Sequence, residues 1–183
     1  MLLSNQTQAL FENITDSNVI ALRHKASGLV CRFDLGGPNA VIAGPGPATS
    51  DRADAVSCMS GVQAFGEVLT LLRNKDHWTT DQALAETVRV TRAFFADLKP
   101  YTGKSVTLTG DASLPGHKSE AFDGGPASDR VHYYVSAAVV GDWIAVERVH
   151  GPTSPPMVGD MYGEVTMLAA ILDLAKAKPH SGS

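Results

Sequence analysis

A stretch of alternating side chains from residue 131 to residue 150 restricts the fold of this chain more than any other feature. Two runs of β-type alternation flank Gly141 and Asp142, a pair typical of a two-residue hairpin turn. The length of the turn sets the register, so Val140 is expected to face Trp143. The same count predicts the remaining pairs, among them Val139 with Ile144, Ala137 with Val146 and Val135 with Arg148. The sequence therefore predicts a β-hairpin with one apolar face.

The predicted register also divides the polar side chains of the hairpin between its two faces. Glu147 is expected opposite Ser136 on the second face, beside the small pair Ala138 and Ala145. That face leaves room for a ligand or for a packed helix. Arg148 is expected on the other, more apolar face, where a guanidinium at a strand end reaches solvent or pairs with a carboxylate.

Periodicity along the rest of the chain predicts helices and strands in a mixed order. Helical spacing predicts helices over residues 4–14, 81–98 and 161–175, and Thr79 with Gln82 forms a plausible capping box for the second. Extended segments are predicted at residues 18–22, 26–33, 40–43, 67–73, 105–109 and around 121–122. Residues 44–54 and 110–130 are predicted loops, and the tail at 179–183 is predicted to fray. Strands that follow one another without alternating helices indicate an α+β fold with an antiparallel sheet.

Composition limits the classes of function. The chain has 183 residues, 44% of them hydrophobic and 19% charged, which fits a single globular domain over residues 1–183. The net charge is −4 and the lysines and arginines are scattered, so a nucleic-acid partner is not expected. The apolar run at 167–172 is too short for a transmembrane segment, and none is predicted.

The cellular compartment stays open at this stage. Residues 1–6 lack the basic and apolar regions of a signal peptide, so the chain is either cytoplasmic or periplasmic or secreted after removal of a leader. Cys31 and Cys58 lie 27 residues apart on two strand-like segments. They are candidates for a disulfide in an oxidising compartment, or for two buried free thiols.

Known catalytic and metal-binding motifs do not fit the chain. Residues 102–105 resemble the end of a phosphate-binding loop, but the first glycine of that motif is replaced by Leu98 and the element order is reversed. The Gly-x-Ser-x-Gly pattern of serine hydrolases is absent. The six histidines show no helical pair at a spacing of four, and His132 and His150 fall on opposite hairpin faces. No metal site and no cofactor are predicted.

Among titratable side chains, Glu147 is the best-placed candidate for catalysis. Acid–base chemistry would need a second titratable group nearby, such as a histidine or an aspartate. The alternative is an ordinary carboxylate at the surface or paired with a helix. Tyr134, Trp143 and His132 are candidates for ligand binding, with packing in the core as the alternative.

The predicted order of elements resembles the fold of PsbP-like proteins. The resemblance rests on the strand at 28–33, the helix at 80–98, the hairpin around Gly141, Asp142 and Trp143, and the helix at 161–175. It implies a binding or accessory protein without catalytic residues, of a kind often exported to the bacterial cell envelope. The alternative function is a small-molecule enzyme that uses Glu147 with a nearby histidine or aspartate.

Overall fold

Among the described residues, the hairpin lies at the centre of a seven-stranded antiparallel sheet. In the computed structural model, β9 (Val131–Val140) and β10 (Trp143–Pro152) pair as predicted, from Trp143 with Val140 to Glu147 with Ser136 and beyond. Gly141 adopts a positive φ of 57°, which the tight turn requires. The register that the sequence predicts is confirmed. The structure describes residues 5–17, 19–33, 37–43, 55–62, 65–125, 130–153 and 155–177.

The remaining strands of the large sheet continue on both sides of the hairpin. The strand order is β4-β5-β6-β10-β9-β8-β7, and all the pairs are antiparallel. The outer strands are β4 (Ala40–Ala43), β5 (Ala55–Val62), β6 (Phe65–Arg73), β7 (Lys99–Pro100) and β8 (His117–Gly124). Among the described residues a smaller sheet contains β1 (Phe11–Asn13), β2 (Ile20–His24) and β3 (Val30–Phe33). The predicted α+β class with an antiparallel sheet is therefore confirmed.

The first helix is shorter than predicted. Helix α1 (Asn5–Leu10) ends where β1 begins, so the helix expected to reach residue 14 is wrong in its second half. The pairing of β1 with β2 places Phe11 in the core and satisfies the backbone of that segment. An isolated helix of this length is marginal, so tertiary pairing decides the conformation.

Two strand predictions after the central helix need correction. Residues 105–109 form no strand, because two of their backbone N–H groups donate to carboxylates of the last helix instead of to a sheet neighbour. The short strand expected around residues 121–122 is the eight-residue β8, which pairs with β9 along its whole length. Its sequence is polar and carries little β-type alternation, so the signal for it lies in its partner.

Each of the two long helices matches its prediction closely at one end and differs from it at the other. Helix α2 (Thr80–Phe94) carries the predicted capping box, but it ends four residues before residue 98, where a turn through Phe95 replaces it. Helix α3 (Pro156–Lys176) begins five residues earlier than predicted, with proline in its first turn. The predicted loop at 44–54 and the tail at 179–183 lie outside the described residues.

The large sheet packs against α3 on one face and against α2 on the other. Helix α3 crosses β9, β10 and β6, and the smaller sheet covers the same face beside β5. We call this the α3 face; it includes His132, Tyr134 and Glu147. Helix α2 packs mainly on β9, with further contacts to β8 and β10, on what we call the α2 face. Val135, Val146 and Arg148 belong to that face.

The two faces are covered to different extents. A helix with its side chains is about 10 Å wide and strands lie about 4.8 Å apart, so one helix covers roughly two strands. On the α3 face, the smaller sheet adds to the cover that α3 supplies. On the α2 face, helix α2 lies toward the β8 and β9 side, which leaves space beside it above β6 and β10.

Two glycines in α3 provide a test of how closely this helix packs. A Cβ at Gly163 would lie 2.4 Å from the ring of Tyr134, whereas a Cβ at Gly159 would lie 3.4 Å from the ring of Phe65. We expect Gly163→Ala to lower the free energy of unfolding by about 1–3 kcal/mol through overpacking. Gly159→Ala, the matched control, should leave it unchanged or raise it by up to about 1 kcal/mol through helix propensity. Urea unfolding of both variants measures this, and equal effects would contradict the close packing at Gly163.

Candidate functional site

The candidates chosen from the sequence all lie on the α3 face and are buried. Glu147, Tyr134 and His132 are 0%, 1% and 2% exposed, and Trp143 is buried as well. Helix α3 covers this part of the sheet, so the small residues beside Glu147 make room for a helix rather than for an open pocket. None of the four side chains is available to a ligand from solvent in this conformation.

His132 lies between two aspartates. Its Nδ1 is 2.8 Å from Asp123 on β8 and its Nε2 is 2.8 Å from Asp160 on α3, and the ring of Tyr101 packs edge-on against it. Burial alone lowers the pKa of His132, but hydrogen bonds and Coulombic attraction from the two aspartates outweigh it and the pKa rises. His132 therefore links the sheet to α3 through two hydrogen bonds, and the two aspartates favour its charged form.

Tyr134 belongs to a second buried group one helical turn further along α3. Its hydroxyl donates to Glu164, whose other carboxyl oxygen contacts Nε2 of His117 at 3.0 Å and accepts the backbone N–H of Leu108 at 2.7 Å. Burial raises the pKa of Glu164, but the hydrogen bonds from His117, Tyr134 and Leu108 outweigh it and the pKa falls. The pKa of Tyr134 rises, through burial first and through the bond to Glu164 second.

These two groups also hold the segment between β7 and β8 against the helix. Asp160 accepts the N–H of Val106 and Glu164 accepts that of Leu108, at 3.2 and 2.7 Å. In place of strand pairing, side-chain carboxylates satisfy this irregular backbone. This arrangement gives the buried His132 and Tyr134 a structural role. They hydrogen-bond to Asp160 and Glu164, whose carboxylates bind the backbone of the segment between β7 and β8.

Trp143 lies apart from the other candidates, at the turn end of the hairpin. Its ring meets His24 of the smaller sheet in a T-shaped contact at 5.8 Å, and the guanidinium of Arg73 lies 4.2 Å above it. The side chain thus packs between the two sheets. Packing in the core was the alternative to ligand binding that the sequence analysis gave for Trp143.

Glu147 is a buried acid without a hydrogen-bond donor among the described residues. Both of its carboxyl oxygens and the hydroxyl of the facing Ser136 lack a partner there. The nearby Glu67 already accepts hydrogen bonds from Ser60 and Thr166. Burial first, and the charge of Glu67 second, raise the pKa of Glu147 well above its ordinary 4.5. The structure thus places Glu147 beside another glutamate and favours its neutral form.

This burial predicts a specific pH dependence of stability. A carboxyl group whose pKa is raised on folding binds its proton more tightly in the folded state, so stability falls as pH rises through the range between the two pKa values. We expect Glu147→Gln to remove this loss, with a stability difference from wild type that grows by up to about 1.4 kcal/mol per pH unit above about pH 5. Urea unfolding between about pH 5 and about pH 8 measures the difference.

The control for this experiment is Glu120→Gln on β8, which removes an exposed carboxylate from the same sheet. Comparing each variant with wild type at every pH removes the opposite trend expected from Glu164, whose lowered pKa makes stability fall as pH drops. If Glu147→Gln and wild type kept a constant difference at all pH values, Glu147 would ionise normally and could not be sealed from water.

The structure places Cys31 and Cys58 at disulfide distance. Cys31 on β3 and Cys58 on β5 have sulfur atoms 1.94 Å apart and Cα atoms 5.5 Å apart. The bridge joins the small sheet to the large one. A small cavity of about 110 Å³ adjoins it, lined also by Glu67 and Thr166. The sequence pointed to this pair but left its state open.

The cleft between α2 and the sheet is the feature that sequence reasoning missed. Two cavities of about 410 and 350 Å³ lie on the α2 face, each within the usual size range of a small-molecule site. They share three lining residues, Val90, Phe94 and Arg148, which therefore lie at their junction. The signal in the sequence was Arg148, a charged residue assigned to the more apolar face. We call the two cavities together the α2 cleft.

The walls of the α2 cleft are mostly apolar, and four of their hydroxyl groups are already engaged in hydrogen bonds. The first cavity is lined by Leu72, Trp78 and Ile144, among others, and the second by Val68, Phe95 and Val135. Ser57 and Thr70 hydrogen-bond each other at 3.0 Å, and Thr87 and Thr91 donate to carbonyls of their own helix. Phe94 is 77% exposed at the rim.

Two further searches of the described residues bear on the sequence analysis. No group of three or more histidine, cysteine, aspartate or glutamate side chains in the described ranges is placed to hold a metal ion. Within those ranges, no helix combines the length and the apolar character needed to cross a bilayer.

Comparison with known proteins gives little information about this chain. No protein-family model matches it, and no curated protein matches its sequence. Among solved structures it is similar to CalU16 from Micromonospora echinospora, with 12% sequence identity over 79% of this chain and 88% of that one. The TM-score is 0.27.

Proposed function

We propose that this protein is a non-enzymatic binding or accessory protein of the bacterial cell envelope, which holds a small apolar ligand in the α2 cleft. One observation carries the ligand site: two adjoining cavities of small-molecule size, open at an exposed aromatic rim, lie on a face of the sheet that one helix covers only in part. Apolar lining with few polar groups is typical of binding sites that recognise shape.

The location in the envelope rests on the cysteines and on the PsbP-like resemblance. A structural disulfide persists in oxidising compartments and is rare in the cytoplasm. The resemblance was based partly on a capped central helix, a hairpin and a closing helix, and the fold contains these three elements. The resemblance implies a protein that acts by binding.

The alternative function, a small-molecule enzyme that uses Glu147 with a nearby histidine or aspartate, has less support. Glu147, the acid of this hypothesis, is completely buried under α3. The titratable group that most affects its pKa is Glu67. A reaction there would require α3 to move away from the sheet. The buried hydrogen bonds of Asp160 and Glu164 to the sheet oppose such a movement.

The α2 cleft can be tested with a neutral fluorescent probe. We expect N-phenylnaphthylamine to bind wild type saturably with enhanced fluorescence. Val90→Trp should weaken that binding about tenfold or more, because the indole fills the junction of the two cavities. Ala85→Trp, on the exposed side of the same helix, is the matched control and should bind as wild type does. Equal binding by both variants would place the probe elsewhere and overturn the proposed site.

The envelope location has its own test. We expect protein recovered from a periplasmic extract of its native cells, alkylated without reduction, to carry no alkyl group and to weigh two hydrogens less than the dithiol. Mass spectrometry of the intact chain measures both. Recovery from the cytoplasmic fraction with both Cys31 and Cys58 alkylated would contradict the location while leaving the ligand site untouched.

A further inference from the structure

Among the described residues that line the α2 cleft, Arg148 is the one lysine or arginine, and no described residue pairs with it. Arg148 lines both cavities and is partly buried, and no hydrogen bond or ion pair joins its guanidinium to any described residue. Elsewhere on the surface, Arg32 pairs with Asp173 and Arg89 with Glu86. A guanidinium held between apolar walls without a carboxylate is unusual, because desolvating a charge is costly unless an opposite charge offsets it.

We propose that the ligand of the α2 cleft is a monoanionic amphiphile, whose carboxylate or sulfate head pairs with Arg148 and whose apolar body occupies the adjoining cavities. This inference rests on the proposed function, since it names the chemical class of ligand for the same site. The planar fork of arginine matches a carboxylate or sulfate with two parallel hydrogen bonds. One arginine neutralises one negative charge, which favours a monoanion.

The position of Arg148 fits the division of such a ligand into head and body. The two cavities meet at Arg148, Val90 and Phe94. A head group bound to the guanidinium therefore leaves the apolar walls of both cavities for the body of the ligand. Four hydroxyl groups of the wall are already engaged in hydrogen bonds. The hydroxyls of Ser57 and Thr70 bond each other, and those of Thr87 and Thr91 are donated to the helix backbone.

None of the other described titratable groups around the cleft forms an ion pair with Arg148. Glu86 lines one cavity but its carboxylate forms two hydrogen bonds with Arg89, at 2.6 and 2.7 Å. Asp81 binds Lys118 at the surface. His150 lines the other cavity and stacks on Tyr133, and desolvation lowers the pKa of its ring, which favours the neutral form.

Glu147 is adjacent to Arg148 in the chain but lies on the opposite face of the sheet. Burial favours its neutral form, so it supplies little compensating charge. Burial also lowers the pKa of Arg148, although an arginine side chain stays protonated in proteins. The guanidinium therefore keeps a full charge in a partly apolar environment, and an entering anion gains from it.

The proposal is tested by comparing head groups on one alkyl chain. Binding of octanoate, octyl sulfate, octanol and octylammonium to the full-length protein is measured by displacement of N-phenylnaphthylamine. We expect wild type to bind the two anions about tenfold or more tightly than octanol, and octylammonium most weakly. Arg148→Met should remove the preference for the two anions over octanol, measured as the ratio of their affinities within that variant.

Two further variants keep the experiment decisive. Arg23→Met, which removes an exposed arginine on β2, should preserve the anion preference. Arg148→Lys should keep part of it, because the charge remains but the fork is lost. If Arg148→Met binds the probe but still prefers anions, or if wild type binds octanol as tightly as octanoate, the inference is overturned and the cleft remains a site for neutral ligands. If wild type binds neither the probe nor any alkyl compound, the proposed function fails with it.

Discussion

The pairing register of β9 with β10 is the constraint on which the rest of the structure depends. Side chains alternate between faces, so a slip of one residue would exchange Glu147 with Arg148 and move His132 and Tyr134 away from α3. The two-residue turn at Gly141 prevents such a slip, and apolar burial on both faces reinforces the register. Every later feature, including the bridges to α3 and the charge in the α2 cleft, follows from this one choice of face.

The two faces solve the problem of buried polar groups in opposite ways. On the α3 face, His132, Tyr134 and His117 meet Asp160 and Glu164, so most polar atoms have partners and the helix is fixed to the sheet. Networks of this kind rigidify a core when they are fully satisfied. On the α2 face the wall is mostly apolar, and Arg148 is unpaired among the described residues. A satisfied network suits a structural role, whereas an unpaired charge beside empty apolar space suits recognition.

The sequence correctly predicted features that depend on neighbouring residues. Its predictions failed for features that depend on contacts between residues far apart in the chain. The hairpin register, the capping box at Thr79 and the facing of Glu147 with Ser136 follow from turn length and spacing, and all three are confirmed. β8 was predicted too short because its polar sequence becomes a strand only by pairing with β9. Residues 105–109 were predicted as a strand because the carboxylates that bind their backbone lie more than 50 positions away, at separations of 54 and 56. The α2 cleft was missed because its volume depends on where α2 packs, which no local pattern records.

The opposite faces of β10 are coupled where Glu147 and Arg148 follow one another. Each charge acts on the other through the sheet: Glu147 raises the pKa of Arg148, and Arg148 lowers that of Glu147. An ionised Glu147 would offset the arginine and weaken its attraction for an anion. Its burial under α3, next to Glu67, works against that ionisation more strongly than Arg148 favours it. The packing of α3 on one face therefore favours the neutral form of Glu147, which in that form does not offset the charge of Arg148 on the other face.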